Sequence, residues 1–273
     1  MRILQDETFV TSPIKTAMDY TWSAVSANWK NTIVVALALI LLSVLSIVPL
    51  LGFVASVVQA IVLYALGYWI VDRIKGVPDV ATFKERAATE DFKAMMVEFF
   101  SPAAGFYVGF MVFSIIMMII TVGIFWITGG FGMMSMVMEQ QNIQNATPEE
   151  TYALYAQFLG TSTPALLFVL ITSLFFSYLW PLVYGYALFQ RTFSDAFNAV
   201  FMFFSKRFWQ AAFTGSYFKI VTLWMLILFG VGIVMGISIG TVILLPLGIL
   251  VLLWMVYFTA VVSAETYNIS ENI

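Results

Sequence analysis

Residues Pro164–Arg191 read PALLFVLITSLFFSYLWPLVYGYALFQR, and nothing from Ala165 to Gln190 carries a charge. At about 1.5 Å rise per residue, this run makes a helix of roughly 40 Å, longer than the roughly 30 Å hydrocarbon core of a bilayer. It predicts a tilted transmembrane helix. Pro181 lies inside the run, lacks a backbone donor and predicts a kink just before it. The run closes on Gly185-Tyr186-Ala187-Leu188-Phe189-Gln190-Arg191, and an earlier apolar run closes on Gly67-Tyr68-Trp69-Ile70-Val71-Asp72-Arg73. The matched endings suggest one membrane unit used more than once.

The rest of the chain has the same character. Of 273 residues, 62% are hydrophobic and 10% charged, whereas soluble domains carry about 45–50% and about 25%. A globular core cannot absorb that excess, so the expected class is an all-α integral membrane protein. The chain has no cysteine and no histidine. This excludes disulfides, thiolate nucleophiles, Cys/His zinc sites, His-ligated haem and any Ser–His–Asp triad. A net charge of −3 without a basic, aromatic-interleaved tract argues against nucleic acid as a partner. No phosphate-cradling glycine loop is present, and no cofactor is expected.

Hydropathy divides residues 1–273, taken as one membrane domain, into six transmembrane helices in three hairpin-like units. Spans one and two fill 32–71 and turn at Ile47 to Gly52. Spans three and four fill 104–190, and spans five and six fill 213–263. An amphipathic, interfacial segment precedes each pair, at 1–31, 72–103 and 191–212. The first lacks the apolar core of a signal peptide and reads as the lead into an uncleaved span. An external loop covers 129–163. It holds Met133, Met134, Met136 and Met138 and a helix start at Thr147-Pro148-Glu149-Glu150, with a stop at Gly160. A polar tail covers 264–273.

All 12 lysines and arginines fall within the three amphipathic segments or at Lys219 just beyond the third. Lys and Arg accumulate in cytoplasmic loops. Both termini are therefore expected in the cytoplasm, and the protein in the cytoplasmic (inner) membrane.

Thr192-Phe193-Ser194-Asp195-Ala196-Phe197, followed by Phe208-Trp209 and a long span, resembles six-span membrane proteins of poorly defined function. These are the relatives of the glycerophosphoryl-diester phosphodiesterase membrane domain and the YciC-like family. The resemblance implies six spans with interfacial helices before the hairpins. It implies no catalytic residue here, because fused members carry the hydrolase as a separate soluble domain.

Several residues are candidate sites. Gly232, Gly236 and Gly240 share one helical face, as do Gly105 and Gly109. Such faces let backbones approach closely, within the chain or between copies in a homo-oligomer, although glycine is also common in any membrane helix. Lys219 is the one basic residue inside an apolar run. Its stem can snorkel to the surface, or its ammonium can meet Asp72, Glu265 or an anionic headgroup. Asp72, Gln190 and Glu265 end three spans beside Arg73 and Arg191. They read either as helix ends meeting water or as a polar ring around a cytoplasmic cavity, and are candidate polar or lipid-headgroup contacts. The four methionines suit a soft metal in principle, and apolar packing more simply.

The spans lack Asp, Glu, His and Arg away from their ends, which argues against an ion-coupled carrier. The expected function is non-enzymatic: membrane-organising, lipid-interacting or partner-binding, with membrane lipids and an unidentified protein as partners. The alternative is a passive channel or a small-solute or lipid transporter. That alternative calls for a one-sided cavity lined by Thr, Ser, Tyr184 and Trp180, and a connected polar cavity would favour it.

Overall fold

A computed structural model describes residues 4, 6–89, 91–127, 148–239 and 245–272. Helices are the only regular secondary structure among them. In chain order they are α1 (Thr8–Thr11), α2 (Pro13–Ala27), α3 (Trp29–Leu45), α4 (Pro49–Ile74), α5 (Val80–Ala88) and α6 (Phe92–Ile127). There follow α7 (Pro148–Leu188), α8 (Phe193–Ala199), a 3-10 turn (Met202–Phe204), α9 (Lys206–Ala212), α10 (Gly215–Ile239) and α11 (Leu245–Glu271).

Five stretches are long and apolar enough to cross a membrane: Leu51–Ile74, Phe92–Ile127, Leu166–Leu188, Gly215–Ile233 and Leu247–Glu271. A sixth is obtained if α2 and α3, bent by 88° at Asn28, count as one. Asn28 makes that bend by capping α3: its Oδ1 accepts from the Asn31 N–H at 3.0 Å. Alone, α3 has 17 residues, about 26 Å at 1.5 Å each. These lengths and this apolarity are those of a multi-pass helical membrane protein.

The chain forms two compact units, 1–110 with 178–273, and 111–177. In the second unit, Phe113 and Phe176 bring α6 and α7 together at 4.6 Å between ring centroids. Ile119, Trp126, Leu170 and Ile171 are exposed there. Lipid tails solvate such side chains as well as a neighbouring helix does.

The first unit is organised around α11, which packs against α2, α3, α4, α9 and α10. From Ala260 to Thr266 every residue of α11 is buried. The segment expected as a polar tail is helix through Glu271, and Glu265, Thr266, Asn268 and Ser270 are buried with it. Local hydrogen bonds replace water: Thr266 Oγ1 donates to the Ser263 carbonyl at 2.8 Å and Ser270 Oγ to that of Tyr267 at 2.7 Å. Asn268 Nδ2 donates to Glu265 Oε2 at 3.3 Å.

Within the first 31 residues, α2 also packs into the first unit. Tyr20 of α2 is fully buried, stacked on Phe9 at 5.4 Å and edge-on to Phe83 at 5.2 Å. Its hydroxyl donates to the buried Asp6 carboxylate at 2.9 Å. This bond gives the carboxylate a partner away from water.

Several boundaries move. Helix α4 begins at Pro49 itself, because proline is pre-set for a first turn. The expected turn therefore shifts back to 46–48. Gly52 passes the Ser46 carbonyl with no room for a side chain. The amphipathic segment expected over 72–103 holds α5, which ends at Ala88, and the start of α6, which runs from Phe92 unbroken for 36 residues through Pro102. Helix α7 runs for 41 residues through Gly160, Pro164 and Pro181, about 62 Å. A helical glycine costs only about 1 kcal/mol relative to alanine, too little to end a helix at Gly160. The third amphipathic segment is broken into α8, the 3-10 turn and α9, because Thr192 and Ser205 each cap a new start. Gly240, the four loop methionines and the Thr147 cap lie outside the described residues.

Candidate functional site

Three helices of the first unit leave a recess of about 280 Å³, open on one side. Helix α4 contributes Ala60, Leu63 and Tyr64, and α7 contributes Trp180 and Tyr184. Leu252, Met255, Val256 and Thr259 come from α11. On each helix these residues recur at three- and four-residue spacing, which puts them on one face. No charged residue lines the recess.

Its back wall is aromatic. Tyr184 stacks on Trp180 at 5.8 Å and on Phe106 of α6 at 5.3 Å. Tyr64 meets Phe106 edge-on at 5.0 Å. Such geometry holds rings rigidly and adds about 0.5–1.5 kcal/mol per pair beyond burial. Tyr184 is seated by Gly67, whose missing side chain leaves space for the tyrosine hydroxyl. At the rim, the Thr259 hydroxyl accepts from Trp224 Nε1 at 3.3 Å. Trp180 and Tyr184, expected along a one-sided cavity, do line this one, but the lining around them is apolar.

A charged cluster lies where two of the apolar stretches end. Arg73 Nη1 donates to Asp72 Oδ2 at 2.6 Å, and Arg73 Nη2 to Glu98 Oε2 at 3.3 Å. Arg191 pairs with the other Asp72 oxygen and lies 3.8 Å from Glu98 Oε1. Its guanidinium rests 5.8 Å from the Phe99 ring centroid. Lys75 Nζ stands 4.5 Å from the Phe189 ring centroid. Burial, and then the Arg191 charge, hold the Lys75 ammonium below its ordinary pKa, with Asp72 opposing them.

The other expected site residues are dispersed. Gln190 turns back to the Tyr186 carbonyl at 3.1 Å. Glu265 lies in the buried end of α11, so a residue read as a span end is part of the packed core. Lys219 is exposed near the start of α10. Gly105 and Gly109 bring α6 against the backbone of Phe193 and Phe197 in α8, whereas Gly232 and Gly236 face open space. Pro181 is buried inside continuous helix.

Sequence reading missed Glu98, Phe99, Lys75 and Phe189, and most of the recess. Lys75 stands two residues after Arg73 and was visible as a charge near a span end, but nothing in the sequence pairs α6 with this cluster. No family model, curated protein or solved structure matches the chain.

Proposed function

We propose that this is a non-enzymatic, lipid-interacting membrane protein that seats an acyl chain in the recess between α4, α7 and α11. The observation behind this reading is the lining: aliphatic side chains and aromatic faces, with the Tyr64, Tyr184 and Thr259 hydroxyls and the Trp180 indole N–H as its side-chain polar groups. Ligand pockets of this kind take apolar groups and orient them with a few polar atoms. A polar solute would leave its hydrogen-bonding groups unserved there, at a cost of roughly 1–3 kcal/mol each. This ranks lipid binding above passage of a small polar solute.

The finer topology belongs to the same proposal. Six spans stand as three hairpin units, each entered by an interfacial helix, with both termini in the cytoplasm and the chain in the cytoplasmic membrane. The placement of Lys and Arg supports that sidedness. Kinship with the six-span relatives named above is the corresponding proposal for ancestry.

The test is photo-crosslinking in bilayers with a phospholipid carrying a diazirine on one acyl chain. Crosslinks should map to the helices bearing Tyr64, Trp180 and Met255. Val256→Trp, which fills the recess, should reduce them several-fold. Equal labelling of wild type and Val256→Trp at these helices would sink the reading.

A further inference from the structure

We infer that Lys75, with Arg73 and Arg191, forms a binding site for a phosphate group, that of an anionic lipid headgroup. The inference rests on the lipid-interacting reading and adds headgroup selectivity to it.

Depth is the first argument. Lys75 directly follows the apolar stretch Leu51–Ile74, and Phe189 to Arg191 directly follow Leu166–Leu188. Two helices thus deliver cations to the edge of the hydrocarbon layer, where the polar headgroup region of a bilayer begins.

Charge is the second. Both arginines approach both Asp72 and Glu98, so these two acids are already engaged by guanidinium groups. Among the described residues no carboxylate lies within ion-pair distance of Lys75. The Phe189 face attracts its charge but accepts no conventional hydrogen bond. An ammonium has three donors.

Rigidity is the third. Arg86 Nη1 lies 3.3 Å from the carbonyl oxygens of both Arg73 and Lys75 and donates to them, tying down the chain that carries the two cations. The Arg191 guanidinium is braced against Phe99, yet its side chain remains 53% exposed, leaving donors available. A phosphate beside Lys75 would supply the missing counter-charge and offset the burial and the Arg191 repulsion that depress its pKa. Arginine and lysine together offer a fork and a point charge to one phosphate.

The test uses the full chain in nanodiscs made from equal parts of phosphatidylglycerol and phosphatidylcholine. Native mass spectrometry reads the ratio of retained lipids. A surface cation near an anionic membrane is worth about fivefold in such a ratio. Wild type should retain the anionic lipid preferentially, Lys75→Gln should lose about that factor, and Lys75→Arg should keep it. Lys75→Glu should push the ratio below that of the glutamine variant. Millimolar inorganic phosphate separates the two sources of the group. If it erases the preference in wild type, the site takes free phosphate as well; if it leaves the preference intact, the site reads the group on a lipid. No preference in wild type, or an unchanged ratio in both Lys75→Gln and Lys75→Glu, overturns the inference. Val256→Trp distinguishes this from the recess reading, because it should lower acyl-chain crosslinking without altering the headgroup ratio.

Discussion

Gly185 of α7 lies against the Ser263 carbonyl of α11 so closely that a side-chain methyl group would overlap that oxygen. The obstacle is backbone, which cannot rotate aside. Gly185→Ala should therefore force the helices apart and cost about 1–3 kcal/mol, the usual cost of overpacking. Gly105→Ala should behave alike, because the Phe193 carbonyl blocks its methyl. Gly236→Ala meets nothing within 4 Å and gains helix propensity, so it should be neutral or stabilising by up to about 1 kcal/mol. The unfolding midpoint in mild detergent ranks the three variants. A Gly236→Ala loss as large as that of Gly185→Ala would contradict the packing described here.

That contrast shows what a linear sequence can reveal. Two glycine ladders had equal standing as patterns, yet one packs on α8 and Gly232 and Gly236 of the other face open space. Spacing establishes a common helical face; it does not say what lies opposite. The apolar runs were legible because hydrocarbon thickness sets their length. The starts at Pro49 and Pro148 coincide with prolines that favour a first turn, although Pro49 was read as part of a turn. Less legible were positions where two local signals compete. Gly160 argues for a stop, but a glycine costs only about 1 kcal/mol against continuing an established helix. The segment 264–273 reads as polar and hence as tail, yet the Thr266 and Ser270 hydroxyls bond to nearby carbonyls and let the helix remain buried. The recess draws on residues almost 200 positions apart, from Ala60 to Thr259, and only Trp180 and Tyr184 were foreseen in a cavity.

Asp72 joins the ends of α4 and α7 by accepting from Arg73 and Arg191 at once. Its side chain is 13% exposed, so water screens it poorly. Asp72→Asn keeps the shape and removes the charge that both arginines share. Breaking a fully buried pair costs roughly 3–5 kcal/mol. Because Arg191 is half exposed, the expected loss is discounted to about 1–2 kcal/mol. Arg191→Gln should cost less than Asp72→Asn, since Asp72 retains Arg73. A double-mutant cycle in detergent unfolding checks both statements, and a zero coupling energy would show that the pair adds nothing.

Two groups flanking Gly76 should give the stability of the protein opposite slopes at the two ends of the pH scale. Asp79 caps α5 by accepting from the Thr82 N–H at 2.8 Å, and that bond holds its carboxyl below the ordinary value of 3.8. A depressed acid stabilises the fold above the unfolded value and loses that contribution as pH falls through the folded one. Lys75 is the reverse case. Burial and Arg191 lower its folded pKa beneath 10.5, so at neutral pH its charge opposes folding. As pH rises from the folded value towards 10.5, the native state releases its proton first and stability increases. Asp79→Ala should remove a share of the acid-side loss, and Lys75→Met should flatten the alkaline gain. Unfolding midpoints from pH 3 to pH 10 in phosphate-free buffer measure both; an alkaline gain that persists in Lys75→Met would assign it to another group.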